Sequence, residues 1–92
     1  MGSTVNEANI SGRVINAVDA MMKTFNRSVS FKLSGETNIY TDLGIDSVEL
    51  MDLLGFIERE FAITIDAEKV VGSKTINDIT EFVSSVLKNK GK

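Results

Sequence analysis

Of the hydroxyl groups in this chain, the one at Ser47 has the surroundings of a reaction site. It stands in Asp42-Leu43-Gly44-Ile45-Asp46-Ser47-Val48-Glu49-Leu50, where a turn rich in small and acidic residues passes into an amphipathic helical pattern. At a helix start side chains are exposed and the first backbone N–H groups lack partners, so an incoming enzyme could reach this hydroxyl and phosphorylate it in some form. The chain supplies no group to activate it as a nucleophile. It has no histidine, which removes the commonest general base, the Ser-His-Asp triad and the usual zinc ligands. It has no cysteine, so disulfides and thiolate metal sites are excluded as well. Asp42, Asp46 and Glu49 lack the alternating ligands and central glycine of a calcium loop, and no metal site is assigned. Ser47 reads as a substrate, with no catalytic residue in the chain. Serine is also among the favoured helix N-caps, and spacing alone favours that plainer role.

The element that must present Ser47 is a second helix from Ser47 to about Phe61, with an inward stripe of Leu50, Leu53, Leu54, Ile57 and Phe61 at three- and four-residue steps. Asp46 is its natural N-cap. Glu49, three positions beyond the cap, can reach back to the cap's N–H, and its charge suits the positive end of the helix dipole. Gly55, inside the helix, costs about 1 kcal/mol relative to alanine. A first helix is expected from about Asn6 to Asn26 on the spacing of Ile10, Val14, Ala17, Val18, Met21 and Phe25. It is secure only from Ser11, because Gly12 weakens the early turns and Asn6, Asn9 and Ser11 compete as caps. A brief third helix, capped by Asp66, should run to about Val71 and end at Gly72. A fourth opens with Thr75 and Asp78 in a capping box and carries Ile76, Ile79, Phe82, Val83, Val86 and Leu87 inward, with Lys88 and Lys90 at its negative end. Residues 28–46 read as a long connection in which Val29, Phe31 and Leu33 alternate with polar residues, less a strand than a loop pinning itself to the core. The expectation is an all-α four-helix bundle, one domain over residues 1–92, with three longer helices, one short one, and flexible ends at 1–5 and 89–92.

The composition agrees with such a domain and narrows its partners. Ninety-two residues with 42% hydrophobic and 25% charged content suit one small globular core. A net charge of −3 disfavours nucleic acid, whose phosphates would be repelled, and points to basic protein partners. No apolar run approaches the roughly 20 residues of a membrane span, and the N-terminus lacks the order of a secretory signal, so the expected location is cytoplasmic.

Leu43-Gly44, then Asp46-Ser47-Val48, resembles the attachment motif of acyl carrier proteins. The similarity continues through Glu58-Arg59-Glu60-Phe61, Ile63-Thr64-Ile65-Asp66 and Thr75-Ile76-Asn77-Asp78-Ile79, and so covers most of the chain at compatible spacings. The resemblance implies that Ser47 carries a 4′-phosphopantetheine arm delivered from coenzyme A by a phosphopantetheinyl transferase, and that acyl groups ride on the arm's thiol. It implies that Asp46 helps the transferase recognise the site. It also implies a docking surface for an acyltransferase, ketosynthase or other acyl-processing enzyme on the second helix. There Glu49, Asp52 and Glu58 would steer basic patches, and the apolar Val48 and Met51 lie off the inward stripe; a solvated helix face and scattered surface apolars would look the same in the sequence. Arg59 and Gly55 depart from the pattern of many fatty-acid carriers. The expected function is a monomeric acyl carrier in fatty-acid or polyketide synthesis. An aminoacyl or peptidyl carrier, or a helical interaction module with no prosthetic group, are the alternatives.

Overall fold

Apolar side chains recurring at helical spacing must be covered, and in the computed structural model, which describes residues 7–27, 29 and 31–90, they are covered by one another. Four α-helices are present among the described residues: α1 (Glu7–Thr24), α2 (Ser47–Phe61), α3 (Ala67–Val70) and α4 (Ile76–Lys90). α1 packs on both α2 and α4. Val14, Val18 and Met21 of α1, Leu53 and Ile57 of α2, and Ile76, Ile79 and Val83 of α4 have no exposed surface. Each such side chain contributes about 1.5–3 kcal/mol by leaving water. Arg13, early in α1, stacks over the Phe61 ring at 4.3 Å and pairs with Glu60 at 2.9 Å, while Arg27, just past α1, pairs with Glu49. The two helices are therefore antiparallel, with the end of α1 beside the start of α2.

The all-α bundle and its element order match the sequence-based expectation, with differences at the boundaries. α1 is helical from Glu7, four residues before its secure part was expected to begin, and Asn9 and Ser11 lie inside it instead of capping it; Asn6 is outside the described residues. Tertiary contact overrides the glycine penalty here, since buried Ile10 and the Arg13–Glu60 pair anchor the turns on either side of Gly12. At the other end Asn26 adopts φ 58°, Arg27 N–H donates to Met22 O at 2.8 Å, and Asn26 N–H donates to Lys23 O at 3.0 Å. That pattern stops the helix two residues short of Asn26. α3 ends at Val70, with a right-handed Val71 as cap in place of a left-handed Gly72. α4 includes Asn89 and Lys90, the first two residues of the expected tail, while residues 1–5 and 91–92, also expected to be flexible, lie outside the described residues.

The long connection has no strand among its described residues. Val29 and Leu33 are half-buried against the core, whereas Phe31 stays 44% exposed. Further on, the loop is stitched to the start of α4. Ile39 N–H donates to Lys74 O at 2.7 Å, Ile76 N–H to Thr37 O at 3.1 Å, and Asn77 N–H to Gly35 O at 2.8 Å. A Cβ at residue 35 would run into the Asn77 side-chain amide, which would have to swing aside to admit it.

Candidate functional site

Ser47 is positioned by the turn that precedes it. Asn38 Oδ1 accepts from the Tyr40 and Thr41 N–H groups, both at 2.9 Å, and Asp42 Oδ2 accepts from Asn38 N–H at 2.8 Å. Ile45 N–H donates to Ile39 O at 3.1 Å, while Leu43 and Ile45 are buried as anchors on either side of Gly44. Gly44 has φ +68°, a conformation that costs an L side chain roughly 1–2 kcal/mol, so glycine is what lets the chain reverse into the helix.

Asp46 then caps α2. Its Oδ1 accepts from Glu49 N–H at 2.8 Å, and Glu49 Oε1 accepts from Asp46 N–H at 3.2 Å, closing the expected capping box. The second Glu49 oxygen accepts from the Arg27 guanidinium, an ion pair in which the Glu49 side chain is 19% exposed. Ser47 is the first residue of α2 and is exposed, and its hydroxyl bonds to no described residue. Its neighbours are fixed and its own side chain is free.

The site residues expected on α2 divide by their surroundings. Val48 and Met51 stand 72% and 54% exposed, large apolar side chains with nothing over them, and Asp52 is exposed with no ion pair among the described residues. Glu49 and Glu58 are held inside the fold: Glu49 by Arg27 and the cap, Glu58 by the Ile65 N–H, which donates to Oε2 at 2.7 Å. Glu60 is engaged by Arg13. The expected docking residues thus comprise an apolar pair, an acidic neighbour in Asp52, and two carboxylates, Glu49 and Glu58, that like Glu60 also fasten α2 to the rest of the molecule. Arg27 was missed by sequence reasoning, since its partner is 22 residues away along an irregular loop. Val71, exposed at 69%, was missed because the Val70-Val71 pair gives no sign of which member faces out.

A phosphate ester at Ser47 Oγ fits this geometry. The oxygen is open to solvent, the side of Gly44 where a Cβ would stand is empty, and the N–H groups of Ser47 and Val48 have no intrahelical acceptor in the first turn, so an anion there would meet donors and the positive end of the helix.

Fold and site together define a small helical bundle that presents a serine hydroxyl at the head of its second helix. Residues 16–83 match the family described as phosphopantetheine attachment site. The chain is 29% identical over 76 residues to the mitochondrial acyl carrier protein of Saccharomyces cerevisiae, covering 83% of this chain and 61% of that one. It is 27% identical over 74 residues to an acyl carrier protein of an Exiguobacterium species, covering 80% and 92% of the two chains. Among solved structures, it is similar to the solution structure of a chain assigned as an acyl carrier protein from Anaplasma phagocytophilum, with a TM-score of 0.55 and 28% identity over 92% of this chain and 94% of that one. The chain belongs to the phosphopantetheine-attachment family, the family of acyl carrier proteins, and its prosthetic group is 4′-phosphopantetheine.

Proposed function

We propose that Ser47 is the residue that takes the arm, and that the chain is a monomeric, non-catalytic, cytoplasmic acyl carrier serving fatty-acid or polyketide-type synthesis. The observation that carries this reading is the free Ser47 hydroxyl at the first position of α2, between a locked cap and an open first turn. In the loading step Ser47 Oγ attacks the coenzyme A phosphorus nearest the pantetheine. An Oγ–P bond forms as the bond to the adenosine-bearing phosphate breaks, and the hydroxyl proton passes to a base on the transferase, since the chain has no histidine to accept it.

The chain's own contribution is positional. Once bound, the arm supplies a thiol that holds an acyl group as a reactive thioester. The tether replaces free diffusion with a high effective concentration at whichever enzyme has docked. Val48, Met51 and Asp52 lie within two turns of Ser47 on the exposed side of α2, where a partner's apolar contact and basic group would meet them. Asp46 keeps the serine at the helix start and places a carboxylate next to it for the transferase. The motif Leu43-Gly44-Ile45-Asp46-Ser47 and the acyl carriers among the relatives favour acyl over aminoacyl cargo.

The test is incubation with coenzyme A, Mg²⁺ and a broad-specificity transferase, read by intact mass. Wild type should gain the phosphopantetheine mass and Ser47→Ala should not. A folded wild type that gains nothing, or an alanine variant that still does, removes Ser47 from the role. Loading with malonyl, fatty acyl and aminoacyl donors then separates the cargo classes.

A further inference from the structure

We propose that Arg59 selects the partner of this chain: an acyl-processing enzyme that meets α2 with a basic side chain opposite Asp52 and a carboxylate opposite Arg59. This deepens the proposed function and rests on its reading of Ser47 as the attachment point. Val48, Met51, Asp52, Gly55 and Arg59 recur at three- and four-residue steps along α2, so they share one face, opposite the buried stripe that ends at Phe61. Leading away from Ser47, that face offers two apolar side chains, an anion, open ground at Gly55 and then a cation. An added Cβ at Gly55 would meet nothing within 4 Å, so the packing of the fold does not call for glycine there, and a partner's surface can come close between the two charges.

Neither charge is used inside the fold. Asp52 and Arg59 are exposed and form no ion pair among the described residues, whereas Glu58 and Glu60, on either side of Arg59, are taken by the Ile65 N–H and by Arg13. The helix offers Arg59 no carboxylate three or four residues away, where Gly55, Phe56, Ala62 and Ile63 stand. Its guanidinium lies over the Phe56 ring, 5.5 Å from the centroid, and Phe56 is itself packed against the core. A guanidinium resting on a fixed ring has given up part of its rotamer freedom before a partner arrives, and its N–H edge stays open to a planar carboxylate. Seven residues separate Asp52 from Arg59, so the two charges stand roughly 10 Å apart along the axis, about one Debye length at ordinary salt, and a partner meets them as two separate charges. A uniformly basic surface would be drawn to Asp52 and repelled at Arg59. One helix face about 22 Å long and about 10 Å wide is well below the ~800 Å² per partner of a stable dimer, which fits brief docking by an enzyme better than a second copy of this chain.

The experiment loads Ser47 with a pantetheine analogue ending in a cysteine-reactive chloroacrylamide, verifies each loaded protein by intact mass, and follows crosslinking to the active-site cysteine of a fatty-acid ketosynthase whose carrier-binding surface is basic. Arg59→Glu should crosslink roughly two- to fivefold faster than wild type and Asp52→Asn should crosslink more slowly, with both differences shrinking as salt is added. Replacing the basic surface residues of the ketosynthase by glutamate one at a time should then find a position at which wild type speeds up and Arg59→Glu slows down. Equal rates for wild type and Arg59→Glu, or no position at which the preference reverses, overturns the role of Arg59 and leaves the attachment reading standing. A wild-type dimer in sedimentation that Arg59→Glu dissolves also overturns it, in favour of a second copy as the occupant. Absence of any mass gain on folded wild type overturns both.

Discussion

At the scale of single residues, the proposed function gives Asp46 a second role beside its cap, and a conservative substitution can separate the two. As N-cap it accepts from Glu49 N–H, a role asparagine fills about as well, whereas loss of the cap to alanine costs about 1 kcal/mol. In the proposed recognition by the transferase its negative charge is what counts, and asparagine lacks it. Asp46→Asn should therefore denature within a few tenths of a kcal/mol of wild type in urea while its transferase-catalysed loading slows, and Asp46→Ala should lose in both measurements. Loading of Asp46→Asn at the wild-type rate would reduce Asp46 to a cap. This part of the site can be read from sequence because a capping box is a three-residue spacing, visible in Asp46 and Glu49 without knowing the fold. The Arg27–Glu49 pair is not visible in that way. It forms only because α1 and α2 run antiparallel and the chain after α1 turns back over the head of α2.

At the scale of the element, α2 has its two least favourable backbone choices at opposite kinds of position. Gly55 sits in a helix interior where an added Cβ would meet nothing within 4 Å, and Ala62 sits at the C-terminal cap with φ 56° and ψ 47°, where glycine is the residue without strain. Gly55→Ala should stabilise by about 0.5–1 kcal/mol through helix propensity. Ala62→Gly should stabilise by about 1 kcal/mol through relief of the left-handed penalty. Either should raise the melting temperature by about 4–8 °C per kcal/mol in a domain of this size, and the double variant should sum the two, as the sites stand roughly 10 Å apart along the helix. A lower melting temperature for Ala62→Gly would show that the alanine methyl has a packing role. The amphipathic stripes of α2 and α4 were readable because their periodicity is set by burial on one face. The strain at Ala62 was not, since alanine carries no mark of the left-handed conformation that the turn to Ile63 imposes on it.

At the scale of the whole molecule, carboxylates hold the junctions between elements. Asp42 fixes the turn before α2, Asp46 and Glu49 fix its start, Glu58 holds the chain that leaves it, Asp66 caps α3, and Asp78 closes the capping box opened by Thr75 at α4. The sequence shows these residues as an acidic surplus, suited equally to a solvated surface, because what each accepts from depends on backbone brought close by folding. Asp78 allows a test by pH. Backbone N–H donors from Lys74 and then Thr75, at 2.9 and 3.1 Å, hold its carboxyl below the ordinary carboxylate range, and the Thr75 hydroxyl and the Lys74 charge act in the same direction. A carboxyl whose folded value is depressed binds its proton more readily in the unfolded chain, so its stabilisation is complete above the unfolded value, near pH 4, and is lost as pH falls through the lower folded value. Wild type should thus exceed Asp78→Asn in stability at neutral pH, with the gap closing steadily below about pH 4. Because Asp78 anchors the same Lys74–Ile76 segment that pairs with Thr37 and Ile39 of the long loop, loss of this anchor should also release the turn that feeds α2. Amide exchange at Ile39 and Ile76 should accelerate together in Asp78→Asn, and acceleration confined to α4 would show that the loop holds the attachment turn without that anchor.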